Sequence, residues 1–335
     1  MLLRMVRRRL RCAAILCVPL AALSCSSGSL ALATTSGDEI DQDVRAEARE
    51  TGQAIVQALT SADPIGLQDH LSDELVSSED FQLSEFVSQV HQLLQDVDLE
   101  LVYEYHSRLS RSGTVNNATI IPSDRNGPII NQAVFITDES YALFYTSGNP
   151  GAQFLLYVYL NKFGDRWQAT NIHLGDFLID NKAAPELFRA MGEFTDAGEI
   201  GTALFYGIAA SKVLRPVHNL QYRDEQRYRT TFQELIDDFE DRTPFPIELA
   251  EDFVMFNLDI TSVQEAPLLP TIRFVTDLPL NESSLRALIE QHSESVYSLL
   301  PGIESEFDHI LFQGYEQLPT DPNEQYNVFG VVIET

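Results

Sequence analysis

The hydrophobic periodicities of this 335-residue chain predict an α+β protein. Three observations carry that prediction. Gln153 to Phe177 reads as two long strands joined by a tight turn, the hundred residues before it contain stretches with apolar residues at helical spacing, and the last third places strands on either side of a helix. In the central hairpin Phe154, Leu156, Val158 and Leu160 alternate with Leu155, Tyr157 and Tyr159, so both faces are apolar and at least one is buried. Phe163-Gly164-Asp165-Arg166 supplies the turn, with Gly164 free to take a positive φ, and Trp167, Ala169, Asn171 and His173 resume the period of two.

The charge balance excludes one class of function. Fifty acids oppose 22 Lys and Arg, a formal net charge of −28. Five of those bases, Arg4, Arg7, Arg8, Arg9 and Arg11, precede the first acid at Asp38, so the remainder is more acidic still. No basic stripe is left to replace phosphate counterions, and nucleic acid is not an expected partner. The acids read as a solvated surface, and the scarcity of lysine (Lys162, Lys182 and Lys212) suits a salty habitat.

The first residues form an export signal over 1–25. Arginines precede an apolar run from Cys12 to Leu23, interrupted by Pro19, which is too short for a transmembrane helix. Ala22-Leu23-Ser24-Cys25 resembles the lipobox of bacterial lipoproteins, which implies lipidation of Cys25 as the first mature residue; Ala22 stands where the family usually has Leu or Val. Ala31-Leu32-Ala33 fits ordinary signal-peptidase cleavage and is the competing site. The lipobox is the preferred reading, because the Ser/Gly/Thr-rich stretch after it makes a flexible tether, taken as 26–43. Ser26 then implies outer-membrane delivery, on the periplasmic side of a bacterial cell envelope; the alternative is a soluble periplasmic or secreted protein. Arg7-Arg8-Arg9-Leu10 hints at twin-arginine export without the flanking residues that make it specific. Cys12, Cys17 and Cys25 are the three cysteines, so the mature body has no disulfide, thiolate zinc site or cysteine nucleophile.

Helices are predicted from Asp41 to Ser61, from Asp63-Pro64 through Leu71, and from Ser84 to Leu94. The period then changes. Leu99, Leu101, Tyr103 and Tyr105 alternate with Glu100, Val102, Glu104 and His106, a strand with one wet face. A polar passage runs from Arg108 to Gly127, and strands resume at Gln132–Thr137 and Ser140–Thr146, separated by Asp138-Glu139. Three helices followed by antiparallel strands of increasing length resemble the NTF2-like (cystatin-like cone) superfamily from about Val44 to Leu178. The local likeness is Tyr157-Val158-Tyr159-Leu160 followed by Gly164-Asp165-Arg166-Trp167-Gln168-Ala169, similar to the family's final-strand pattern of Gly, a polar pair and Trp. The resemblance implies a curved sheet wrapping the first helix, with a concave pocket between them. The family includes isomerases, dehydratases and many non-enzymatic members, so it does not choose a function.

In such a pocket His173, Asp176 and Tyr157 are the nominees for general acid/base work, with Tyr103 and Tyr105 as further inward-facing hydroxyls. Against this, His173 and Asp176 lie three positions apart, which places them on opposite faces of a regular strand unless Gly175 makes a bulge. Asp69-His70 and His91 have no second His or Cys one helical turn away, and no metal site is expected. No phosphate loop and no Gly-x-Ser-x-Gly elbow occurs, and no cofactor is implied.

Beyond Asp180, Pro185 to Phe194 and Ala203 to Val213 look like one tetratricopeptide-type helical hairpin broken at Asp196 to Gly201, read as structural because one copy is not an array. Arg215, Arg223, Arg227 and Arg229 form the densest positive charge of the mature chain; they pair with Glu225, Glu234, Asp237 and Asp238 or hold an anionic group. The last third reads β-β-α-β-β: Phe253–Ile260, Thr271–Thr276, a helix from Asn281 to Leu299, Phe307–Tyr315 and Tyr326–Ile333, forming an antiparallel sheet with the helix on one face. The reading therefore gives an α+β domain over 44–181, a helical segment over 182–246 and a C-terminal α+β domain over 247–335. The function it supports is a non-catalytic binding or assembly protein of the envelope, held to the membrane by a lipid and facing an envelope protein partner. The alternative is a periplasmic enzyme acting on a small molecule in the cone pocket.

Overall fold

Local chemistry starts each element of the N-terminal part. The computed structural model describes residues 32–78, 82–94, 97–110, 115–120, 129–135, 137–147, 152–217, 219–262, 266, 268–321 and 324–335; the segment read as an export signal, with Cys25, lies outside them. The Asp41 carboxylate accepts the Asp43 and Val44 N–H groups and opens α1 (Gln42–Thr60), whose buried stripe is Ala48, Gly52, Ile55, Ala58 and Leu59. Asp63, with Pro64 behind it, opens α2 (Pro64–Gln68), and Ser72 caps α3 (Asp73–Val76). The last helix of the group, α4 (Leu83–Leu94), buries Val87, Val90 and Leu94.

These helices cover one face of a five-stranded antiparallel sheet made of β1 (Leu32–Ser36), β2 (Leu99–Leu109), β5 (Glu139–Ser147), β6 (Ala152–Phe163) and β7 (Arg166–Ile179), in that order. The β6–β7 hairpin turns at Gly164 with φ +65°, as its sequence predicts. Three sequence expectations change. Leu32–Ser36, assigned to a flexible tether, is strand β1, in register from Leu32↔Leu109 to Ser36↔Tyr105 of β2 and tied by a 3.0 Å hydrogen bond between the Thr34 and Ser107 hydroxyls. The polar passage after Arg108 contains strand β3 (Val115–Ile120). The next strand, β4 (Ile129–Phe135), pairs with β3 and with β8 (Leu220–Gln221) rather than with β5, giving a separate three-stranded sheet. The free edge of β7 is capped at Ala169, whose N–H donates to the His70 carbonyl and whose carbonyl accepts from Ser72 N–H.

Both faces of the hairpin are buried. Leu156, Val158 and Leu160 join Ile55, Leu59 and Leu67 under the helices, each worth about 1.5–3 kcal/mol of apolar burial. Leu155, Tyr157 and Tyr159 are equally buried on the opposite face. There the chain at Pro216 lies flat on β7: a Cβ added to Gly175 would fall 1.8 Å from the Pro216 carbonyl oxygen.

The chain divides into two compact units, the first running through Asn181 with Lys212–Glu225, the second comprising Lys182–Ser211 and Gln226–Thr335. In the second, Gly198 with φ +81° ends α5 (Ala184–Ala197) before α6 (Ile200–Lys212). Helix α7 (Glu225–Arg242) leads into β9 (Ile247–Ala250), β10 (Phe253–Thr261) and β11 (Leu269–Val275). The next helix, α8 (Glu282–Leu299), is capped by the Asn281 side chain; α9 (Ile303–Glu306), β12 (His309–Tyr315) and β13 (Val328–Glu334) follow. The sheet order is β13-β12-β11-β10-β9. The sheet is mixed rather than antiparallel throughout, because α8 carries the chain across and returns β12 parallel to β11. Phe253, Phe274 and Phe312 fill its core, with Phe253 and Phe274 edge to face at 4.4 Å.

Candidate functional site

The most elaborate polar arrangement under the helices of the N-terminal unit begins with a β-bulge. In β2 the pairing passes from Leu101↔Tyr145 to Tyr103↔Phe144, so Val102 is the extra residue. The strand's alternation shifts there. Glu104 and His106, the expected wet face, point instead at the helices, and Val102 is left 40% exposed. Helix α1 brings Arg45 and Arg49, one turn apart, against them. Arg49 binds the Glu104 carboxylate through two bonds, Nε to Oε2 at 2.9 Å and Nη2 to Oε1 at 2.7 Å. The Tyr141 hydroxyl donates to Oε2 at 2.7 Å, and Arg45 Nε stands 3.4 Å from Oε1.

His106 stacks on Tyr141 at 6.1 Å, and both meet the edge of Trp167, at 6.3 and 6.0 Å. At the rim Lys162 Nζ lies 5.2 Å over the Trp167 ring and pairs with Glu47. Electrostatics follow from burial. The hydrogen bond to Glu104 raises the Arg49 pKa; desolvation, reinforced by the bond to Glu104, pushes the Tyr141 phenol far up; desolvation raises that of Tyr145 as well. Desolvation lowers the His106 pKa, with Glu139 opposing and Arg108 and Lys162 assisting. His106 Nε2, Trp167 Nε1 and the Tyr145 hydroxyl are buried with no hydrogen-bond partner among the described residues.

Chemically this is a closed arrangement. Both Glu104 oxygens are committed to donors, and the Tyr141 phenol stays protonated. Around it Ile55, Leu59, Leu143, Leu156, Val158 and Leu160 are fully buried and belong to one apolar cluster, in the layer where the cone resemblance implies a pocket. A second polar group, on the C-terminal sheet, is equally self-contained. Arg273 reaches Asp259 at 2.9 Å, Asn257 at 3.2 Å and Gln313 at 3.0 Å.

The sequence-nominated residues are dispersed. Tyr157 and His173 are register partners with rings stacked at 6.5 Å, on the sheet face away from the helices. Beside them runs an aromatic row in which Phe144 contacts Tyr103, Tyr105 and Tyr157 at 6.4, 5.7 and 5.0 Å. The ladder is regular from His173 through Gly175 to Asp176, which pairs with Phe154, so Asp176 belongs to the opposite face and is exposed. Arg215 is paired internally, its Nε 2.8 Å from the buried Glu225 carboxylate. Arg223 lies in the same unit, whereas Arg227, its guanidinium 5.6 Å over Tyr228, and Arg229 belong to α7 in the other. His91 Nδ1 meets the Thr60 carbonyl at 2.9 Å. Among the described residues no group of three or more His, Cys, Asp or Glu is placed to hold a metal, and no helix is long and apolar enough to cross a membrane.

Sequence reasoning missed Arg45, Arg49 and Glu104. The available signal was two arginines four apart on a helix in a base-poor chain. Comparison with known families, curated proteins and solved structures finds no match for this chain.

Proposed function

We propose that this protein is exported and lipid-anchored through Cys25 on the periplasmic side of the cell envelope, at the outer membrane, and serves there in binding or assembly rather than catalysis. Its N-terminal unit is proposed as an NTF2-like cone whose interior has become core. The observation that carries the reading is that interior: Glu104 is held by Arg49 and Tyr141, and a cluster of buried apolar side chains lies around them. The enzyme alternative finds little support in a Tyr157–His173 pair on one sheet face with Asp176 on the other.

Strand β1 supports the lipobox over its competitor. Cleavage after Ala33 removes Leu32 and Ala33, the partners of Leu109 and Arg108, from the sheet; processing before Cys25 leaves the strand whole. The test is the intact mass and N terminus of the protein recovered from envelope fractions of its host, beside a Cys25→Ser variant. The expected result is an acylated Cys25 in the membrane fraction, lost in the variant. A soluble chain beginning at Thr34 contradicts it.

A further inference from the structure

We propose that the outer edge of β13 docks a second copy of this chain, joining two C-terminal sheets into one. Strand β13 ends its sheet, and among the described residues no strand pairs with its far side. Natural edges are guarded by lysine, proline, bulges or charge; β13, Val-Phe-Gly-Val-Val-Ile-Glu, has neither lysine nor proline, pairs with β12 without a bulge, and keeps one acid at its end. It also exposes Val328 (47%), Phe329 (37%) and Val332 (44%). The Arg286 guanidinium reaches the Val332 carbonyl at 3.5 Å, a long contact that strand pairing displaces.

Charge and register select the occupant. A chain with a net charge of −28 repels its own copies over most surfaces, yet Tyr326 to Ile333 contains no charged residue. Antiparallel self-pairing centred on Val331 sets Phe329 opposite Ile333 twice, Gly330 opposite Val332, and Glu334 opposite Val328. No like charges face each other, and the two-fold contact closes as a dimer. The proposal rests on the binding-or-assembly reading and specifies its partner.

The test is sedimentation velocity on the mature chain carrying Cys25→Ser, over a concentration series to about 100 µM, a range suited to a weak interface. With the lipid removed, the result is independent of anchoring. A reversible dimer is expected, its dissociation constant raised at least roughly tenfold by Phe329→Lys with the urea midpoint unchanged. Amide exchange provides the second reading: protection of Val328 to Glu334 rises with concentration, and that of the opposite edge, β9, does not. A monomer throughout the series overturns the proposal. So does a dimer insensitive to Phe329→Lys that leaves β13 exchange unchanged, and so does β13 protection that appears only with a different protein added.

Discussion

His106 shows how much one residue's environment depends on a neighbour's register. Held neutral by burial between Tyr141 and Trp167, it has a lower pKa in the folded protein than in the unfolded chain. As pH falls through about 6.5 the unfolded chain therefore takes up the proton first. Stability is unaffected by this group above that value and declines below it, down to the folded pKa. Phe in its place keeps the stacking and removes both the proton site and the unpartnered Nε2. The stability difference between His106→Phe and the parent should accordingly shift in favour of the variant between pH 7.5 and pH 5, measured as urea midpoints. A difference that stays constant with pH would contradict the burial of a neutral imidazole.

At the scale of elements, backbone approach makes a sharper prediction than propensity. Gly175→Ala forces the added carbon into the Pro216 carbonyl, a backbone atom that cannot rotate away, and should cost about 1–3 kcal/mol or more. Gly164→Ala meets nothing within 4 Å and should cost only the left-handed φ, about 1 kcal/mol. Reversal of that order in thermal unfolding would mean that Pro216 does not lie on β7. Much at this scale was legible in sequence: the α1 stripe, the helix starts at Asp41, Asp63 and Asn281, and the β6–β7 hairpin are local patterns with local causes. The bulges were not. Val102 in β2 and Thr170 in β7, where pairing passes from Leu160↔Ala169 to Tyr159↔Asn171, are single extra residues with no compositional mark, yet each exchanges the faces of everything beyond it. Periodicity also carries no strand direction. Still, a helix between Val275 and His309 leaves room for a crossover, and the parallel β11–β12 pair was within reach of the connection rules.

For the whole molecule, the central claim is that the space between α1–α4 and the sheet is core, with Glu104 as a structural anion. The candidate site was the least legible part because it depends on a bulge, a helix face and three residues far apart in sequence. Groups retained for function are commonly held at a cost in stability, so removing them is neutral or stabilising; groups retained for structure behave in the opposite way. Trp167, the chain's one tryptophan, touches His106 and Tyr141 and gives a fluorescence signal located in this unit. The decisive measurement is the urea unfolding of Glu104→Gln followed by Trp167 fluorescence. The amide keeps one acceptor oxygen but loses the charge and sets an NH2 donor where Arg49 or Tyr141 needs an acceptor; because Arg49 is 42% exposed and recovers some hydration, the expected loss is about 2–3 kcal/mol. A variant as stable as the parent, or more stable, would contradict the account and mark Glu104 as a group kept for a ligand.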